Sequence, residues 1–203
     1  MNIRIQKGVT LYELLITLLV VGVVLTLGVP NMVEFRQNGR MTASANDLIA
    51  AFQLARTESA RAKDNITICA SKQPMTSTPA CDGTWDEGYI VFVDSDGDIV
   101  RDNTEAVLRR HDIIEPGVQL AIANDATFFS YGPTGLGRGN VGGNPSLTQI
   151  VMCDERGNTT AAGGNSAARL FVTTPLGRAT IVRDQAAIGT ALTNMSKSCP
   201  SGS

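Results

Sequence analysis

From Val9 to Val29 the chain runs for 21 residues with a single charge, that of Glu13. As a helix this run rises about 31 Å, enough to cross the hydrocarbon core of a bilayer. Arg4 and Lys7 precede it, residues 1–8 contain no acid, and Gly8 stands at the boundary. That bias places the residues before the run on the cytoplasmic side and the remainder of the chain outside. A carboxylate at membrane depth is costly unless it has a partner, so Glu13 marks a functional position. Pro30 closes the run; lacking an amide donor, it is expected to bend or locally open any helix that passes through it.

Two ordinary explanations fit less well. A secretory signal has an apolar core of about 7–15 residues followed by a small-residue cleavage site. Here the core is longer, and Leu27-Gly28-Val29-Pro30 is a poor site. A plain single-span anchor explains the length but neither Glu13 nor the Lys7-Gly8 boundary. The stretch Lys7-Gly8-Val9-Thr10-Leu11-Tyr12-Glu13-Leu14-Leu15 resembles the N-terminus of type IV pilins and type II secretion pseudopilins. The resemblance implies cutting by a prepilin peptidase between Gly8 and Val9 and methylation of the new terminus on Val9. Glu13 would then be the fifth mature residue and Pro30 the twenty-second, both matching the family pattern. Val9 stands where phenylalanine or methionine is usual, and Tyr12 replaces a common isoleucine. The resemblance also implies that Glu13 meets the terminal amine of a neighbouring subunit. Its other implied partners are further pilins or pseudopilins, met through the helix, and the inner membrane, with the head in the periplasm until assembly.

After Pro30 helical spacing persists to about Ala62. Ala45, Leu48, Ala51, Phe52, Ala55 and Ala62 form an apolar stripe, opposed by Glu34, Arg36, Arg40, Asp47, Arg56, Glu58 and Arg61. Asp64-Asn65 is the expected stop. Beyond it the period changes to that of strands, over 66–71, 87–94, 106–112, 118–123, 126–131, 147–153, 168–174 and 179–184. Turn residues separate them, among them Asp96-Gly97, Pro116-Gly117, Asn124-Asp125, Gly157-Asn158 and Pro175-Leu176-Gly177. One long helix followed by eight strands reads as α+β: a membrane half and an amphipathic half of one helix, the latter packed on an antiparallel two-sheet head. The expected divisions are 1–8 leader, 9–29 membrane and assembly helix, 30–63 its amphipathic continuation, and 64–203 head.

An apolar content of 43% and a charged content of 18% describe a globular module. The net charge of −2 is unevenly placed: residues 64–115 hold eleven acids against four bases, and residues 116–203 four acids against six bases. Four cysteines in an exported chain imply two disulfides with three possible connectivities; proximity favours Cys69–Cys81 and Cys153–Cys199. No Cys-x-x-Cys pair exists and His111 is the sole histidine, so zinc is not expected and no cofactor is. Within the head, Cys81-x-x-x-Trp85, Gly88 to Asp94, Glu105 to Arg109, Met152 to Gly157 and Leu176-Gly177-Arg178 are similar to the GspH/FimT branch. Members of that branch are minor pilins or pseudopilins that help initiate filament assembly.

Other motifs weigh less. Asp94-Ser95-Asp96-Gly97-Asp98 opens like a calcium loop, with Glu105 at the twelfth position, but its glycine is fourth rather than sixth and strands flank it. A solvated acidic turn is the better reading. Gly137-Arg138-Gly139-Asn140-Val141-Gly142 matches a dinucleotide fingerprint only in its letters, since no helix follows it. With one histidine there is no Ser–His–Asp or Cys–His set, and no catalysis is expected. Some proteins similar to this one bind DNA through a Gly-Arg-x-Arg element in the last hairpin; here Thr180 replaces the second arginine. Arg178, Arg183, Arg169, Arg156, Arg138 and Lys197 are the basic residues that could form a phosphate-contacting surface.

Overall fold

A computed structural model describes residues 8–161 and 163–199. Residues 1–7 of the expected leader and the last four residues of the tail lie outside the described residues. The chain divides into two compact units, residues 1–39 and 40–203. Helix α1, Leu11–Ala62, contributes to both. It remains helical through position 30, so the backbone opening expected of Pro30 is not seen.

In the second unit the helix follows its sequence pattern closely. Met41, Ala45, Leu48, Ala51, Phe52 and Ala55 are buried at helical spacing, and Ser59 extends the stripe by a turn. Ala62, expected in the stripe, is exposed instead. The helix ends at Ala62, as expected, where Lys63 turns left-handed with φ 59°.

All eight expected strands are present, each trimmed at one or both ends: β1 Ile66–Ala70, β2 Tyr89–Val93, β3 Val107–His111, β4 Gln119–Ile122, β5 Phe128–Tyr131, β6 Gln149–Cys153, β7 Arg169–Thr173 and β8 Ala179–Val182. They form two four-stranded antiparallel sheets, ordered β3-β2-β1-β5 and β4-β6-β7-β8. Thus β4 leaves the first sheet to edge the second before β5 returns.

Both sheets bury one face against the α1 stripe in a single core. Phe52 is where they meet: its ring centroid lies 5.3 Å from that of Phe129 on the first sheet and 4.7 Å from that of Phe171 on the second. The opposite face of the first sheet carries Cys69, Ile90, Phe92 and Phe128, with Cys81, Ile99, Val107 and Val141 packed over them. This explains why β1 is buried at every residue rather than at alternate ones.

The outer face of the second sheet is covered by α2, Gln185–Met195, which places Ile188, Ala191 and Leu192 over Val151, Cys153 and Leu170. Asp184 caps α2 by accepting the Ala187 amide at 2.8 Å, and so belongs to the helix rather than to the preceding strand. Both disulfides favoured by proximity form. Cys69–Cys81 and Cys153–Cys199 have α-carbons 5.4 and 5.6 Å apart. The first ties the loop after β1 to that strand; the second ties the segment after α2 to β6.

Replacing Phe52 by alanine removes the ring shared by both sheets. Unfolding in urea should show a loss of about 3–5 kcal/mol, as a lower midpoint at unchanged slope.

Candidate assembly helix and head surface

The first unit presents an apolar helix that the chain leaves uncovered. Every described large apolar side chain from Val9 to Val29 is exposed, between 44% at Ile16 and 77% at Leu11. Among the described residues it lies on the one helix long and apolar enough to cross a membrane. Thr17 and Thr26 donate their hydroxyls to the carbonyls of Leu14 and Val23 at 2.8 and 2.9 Å, leaving neither donor unmet.

The N-terminus of α1 has a cap that the sequence reading missed. Thr10 Oγ1 accepts the backbone amide of Glu13 at 3.3 Å. Thr10-x-x-Glu13 has the spacing of a capping box, so the signal was present in the residues. Glu13 therefore sits in the first helical turn, where the exposed amides favour a negative charge. This supplies a local reason for an acid at a position that is otherwise apolar.

On the head, the acidic segment after β2 is more than a solvated turn. Asp94 is fully buried; it accepts Thr67 Oγ1 at 2.6 Å and faces the Arg138 guanidinium at 3.4 Å. Arg138 also donates to Gly97 O at 2.8 Å and to Ser130 Oγ at 3.2 Å. Glu105 closes the loop by accepting the amides of Ser95 and Asp102 at 3.0 and 2.9 Å. Oxygens of Asp94, Asp96 and Asp98 converge within 4.8 Å of one another. Arg138 brings the positive charge there from the loop after β5. Burial pushes the Asp94 carboxyl up from its ordinary value, despite the Thr67, Ile99 and Arg138 contacts that lower it.

His111, the sole histidine, is also engaged. Its Nε2 lies 2.8 Å from Asp47 Oδ2, and its ring stacks on Tyr89 with centroids 4.8 Å apart. Asp47 on α1 further accepts the Tyr89 hydroxyl at 2.6 Å and pairs with Arg109. The cluster fastens α1 to β2 and β3, and burial together with Asp47 raises the Tyr89 phenol.

The six basic residues do not form one free basic surface: Arg156 and Arg183 lie near Arg169, but four of the six are held by partners within the head. Arg169 is 2% exposed and its guanidinium donates to the carbonyls of Ser166, Ala167 and Ala168 at 2.8–3.0 Å. Burial, with Arg183 and Arg156 adding repulsion, lowers it to about 10. Arg156 pairs with Asp154 at 2.6 Å and Lys197 with Asp125 at 2.9 Å, while Arg138 serves the acidic loop. Arg178 and Arg183 are exposed at opposite ends of β8, about 16 Å apart along an extended strand. Arg178 is set by the turn between β7 and β8, where Gly177 takes φ 75° and its carbonyl accepts the Tyr131 hydroxyl at 2.8 Å. A β-carbon at Gly177 would lie 2.4 Å from the Tyr131 ring, so glycine is required.

Two outcomes test these roles. Arg169→Ala strands buried carbonyls and should cost about 1–3 kcal/mol in urea unfolding, whereas exposed Arg178→Ala should change stability by less than about 0.5 kcal/mol. For Asp94 the folded carboxyl titrates above the unfolded one. Between those two values the folded state binds more protons, so stability falls as pH rises through that window. Asp94→Asn should flatten that part of a stability–pH curve measured by thermal unfolding.

A family model described as Type II transport protein GspH matches residues 44–177. No curated protein matches the chain. Two solved structures resemble it, both of the type IV minor pilin FimU of Pseudomonas aeruginosa. One is 19% identical with a TM-score of 0.47, covering 73% of this chain and 92% of that one. A second crystal form is 18% identical with a TM-score of 0.45, covering 70% and 91%. The family model spans more than half of the chain: this protein belongs to the GspH family of type IV pilin-like and pseudopilin-like filament proteins, which are structural rather than enzymatic.

Proposed function

We propose that this protein is a minor pilin, made as a precursor, cut between Gly8 and Val9, methylated on Val9, and inserted into a type IV pilus through the first half of α1. The observation that carries the reading is the uncovered apolar helix with Glu13 in its first turn. Before assembly, lipid of the inner membrane covers that surface and the head lies in the periplasm. In the filament, other subunits' helices replace the lipid.

Glu13 supplies the register. Inside a bundle of apolar helices its carboxylate needs a cation, and the amine freed on a neighbouring Val9 provides one. Removing one member of a buried pair costs about 3–5 kcal/mol because the other charge is left uncompensated. A helix inserted out of register would pay the same penalty, so a single acid selects one axial position.

The description of the matching family favours a second reading, a minor pseudopilin of a type II secretion system. Cleavage, anchoring and the Glu13 pairing would be unchanged; the machine would differ. DNA capture is not part of the proposal, because Arg169 is buried and Arg138, Arg156 and Lys197 are paired with acids.

Glu13→Ala separates processing from assembly. The mature form should still appear by mass, shortened by residues 1–8, while the amount recovered in sheared filaments should fall by more than about a hundredfold. Normal recovery would overturn the register role, and persistence of residues 1–8 in the presence of active peptidase would overturn the whole reading.

A further inference from the structure

Beyond the edge strands β5 and β8, both sheets and α1 reach the surface together. The 132–137 loop follows β5 of the first sheet, and the 174–178 turn joins β7 to β8 of the second. The loop rests on α1: a β-carbon on Gly135 would lie 3.5 Å from that of Ala60 and 3.6 Å from Arg56 O. The turn rests on the loop, since a β-carbon on Gly177 would lie 3.3 Å from Gly135 O, and one on Gly137 2.9 Å from Pro175 O.

Each segment is closed by its own backbone. The Gly135 amide donates to Gly132 O at 2.9 Å and the Gly132 amide to Leu136 O at 2.8 Å; the Gly177 amide donates to Thr174 O at 2.8 Å and the Thr174 amide to Arg178 O at 3.0 Å. The Tyr131 hydroxyl fastens the turn to β5. Segments held in this way have little freedom left to lose on binding. Each nonetheless keeps a leucine in solvent, Leu136 at 45% and Leu176 at 66%. Arg178 follows Leu176 and is exposed, as is Arg56 of α1. Arg56 is near enough to Tyr131 for its charge to oppose the rise that burial imposes on the phenol. Neither arginine pairs with an acid among the described residues, and neither segment contains an acid.

We infer that this knob, Leu136 and Leu176 flanked by Arg56 and Arg178, docks on an acidic, apolar surface of a different subunit of the filament. The leucines supply the desolvated centre of the contact and the arginines its charged rim, with potentials of opposite sign across it. A nucleic acid backbone would engage the arginines and leave both leucines in water; only a protein surface uses all four side chains. A second copy of this chain is not the partner, because a minor constituent has other subunits as neighbours. The inference rests on the filament reading and adds to it a contact made by the head, distinct from the one made through the first half of α1.

All four cysteines are in disulfides, so an introduced thiol is the only one this chain offers. The full-length Leu176→Cys chain is assembled in its own cells, and the sheared filaments are labelled with benzophenone maleimide and irradiated. Mass spectrometry then identifies the joined peptides. The expected adduct links this chain to a different filament subunit through a peptide that contains Asp or Glu. Ile113→Cys, beyond the opposite edge strand β3, should not give it. Arg178→Glu in the Leu176→Cys chain should lower the yield about tenfold, and reversing the charge of the partner's acid should restore it. No adduct, an adduct to a second copy of this chain, a yield indifferent to Arg178→Glu, or an adduct lost on nuclease treatment overturns the contact. If the chain is present in filaments in a Glu13-dependent way and gives no adduct, this contact fails while the filament reading stands. Absence of the chain from filaments removes both.

Discussion

The head depends on one joint. Along α1 from Met41 to Ser59 a single stripe of side chains is wide enough to receive both sheets, and Phe52 at its centre touches an aromatic residue from each. Neither sheet buries a complete apolar face without that helix. The two sheets pair through no shared strand, so their relation is set by what they pack on. Once that joint forms, each sheet has an outer face left over. The second sheet covers its own with α2, and the first with the loops that follow β1 and β2. Each of these coverings carries one disulfide.

The same helix obeys a different rule in the first unit. There the apolar residues surround the helix rather than forming a stripe, which suits a medium that is apolar on every side. Lipid and a bundle of like helices both meet that requirement, and passage from one to the other needs no refolding of the segment. A charge in such a segment is therefore informative. Glu13 has a local stabilising environment in the first turn after the Thr10 cap, and a partner-dependent one when the helix is buried.

Several charged groups that attract attention in the sequence are internal. Arg138 closes the Asp94 loop, Arg169 gathers three carbonyls, and His111 joins Asp47 and Tyr89. Arg138 and Arg169 satisfy backbone carbonyls that would otherwise go unmet.

The residues alone determined the long helix, the eight strands, the α+β class and the N-terminal pattern, because each rests on a local period or on spacing of a few residues. Proximity in the chain also favoured the two disulfides that form. Helix α2 was legible in principle, from Asp184 as cap and Ile188, Ala191 and Leu192 at helical spacing, but its alanine-rich turns lack a strong stripe. What only the tertiary structure decided is which like residues are equivalent. Arg169 and Arg178 read alike in sequence, yet one is buried and the other exposed. Likewise the β4 crossover and the Asp47 cluster depend on residues tens of positions apart. Burial and long-range contact are properties of packing, and no local pattern encodes them.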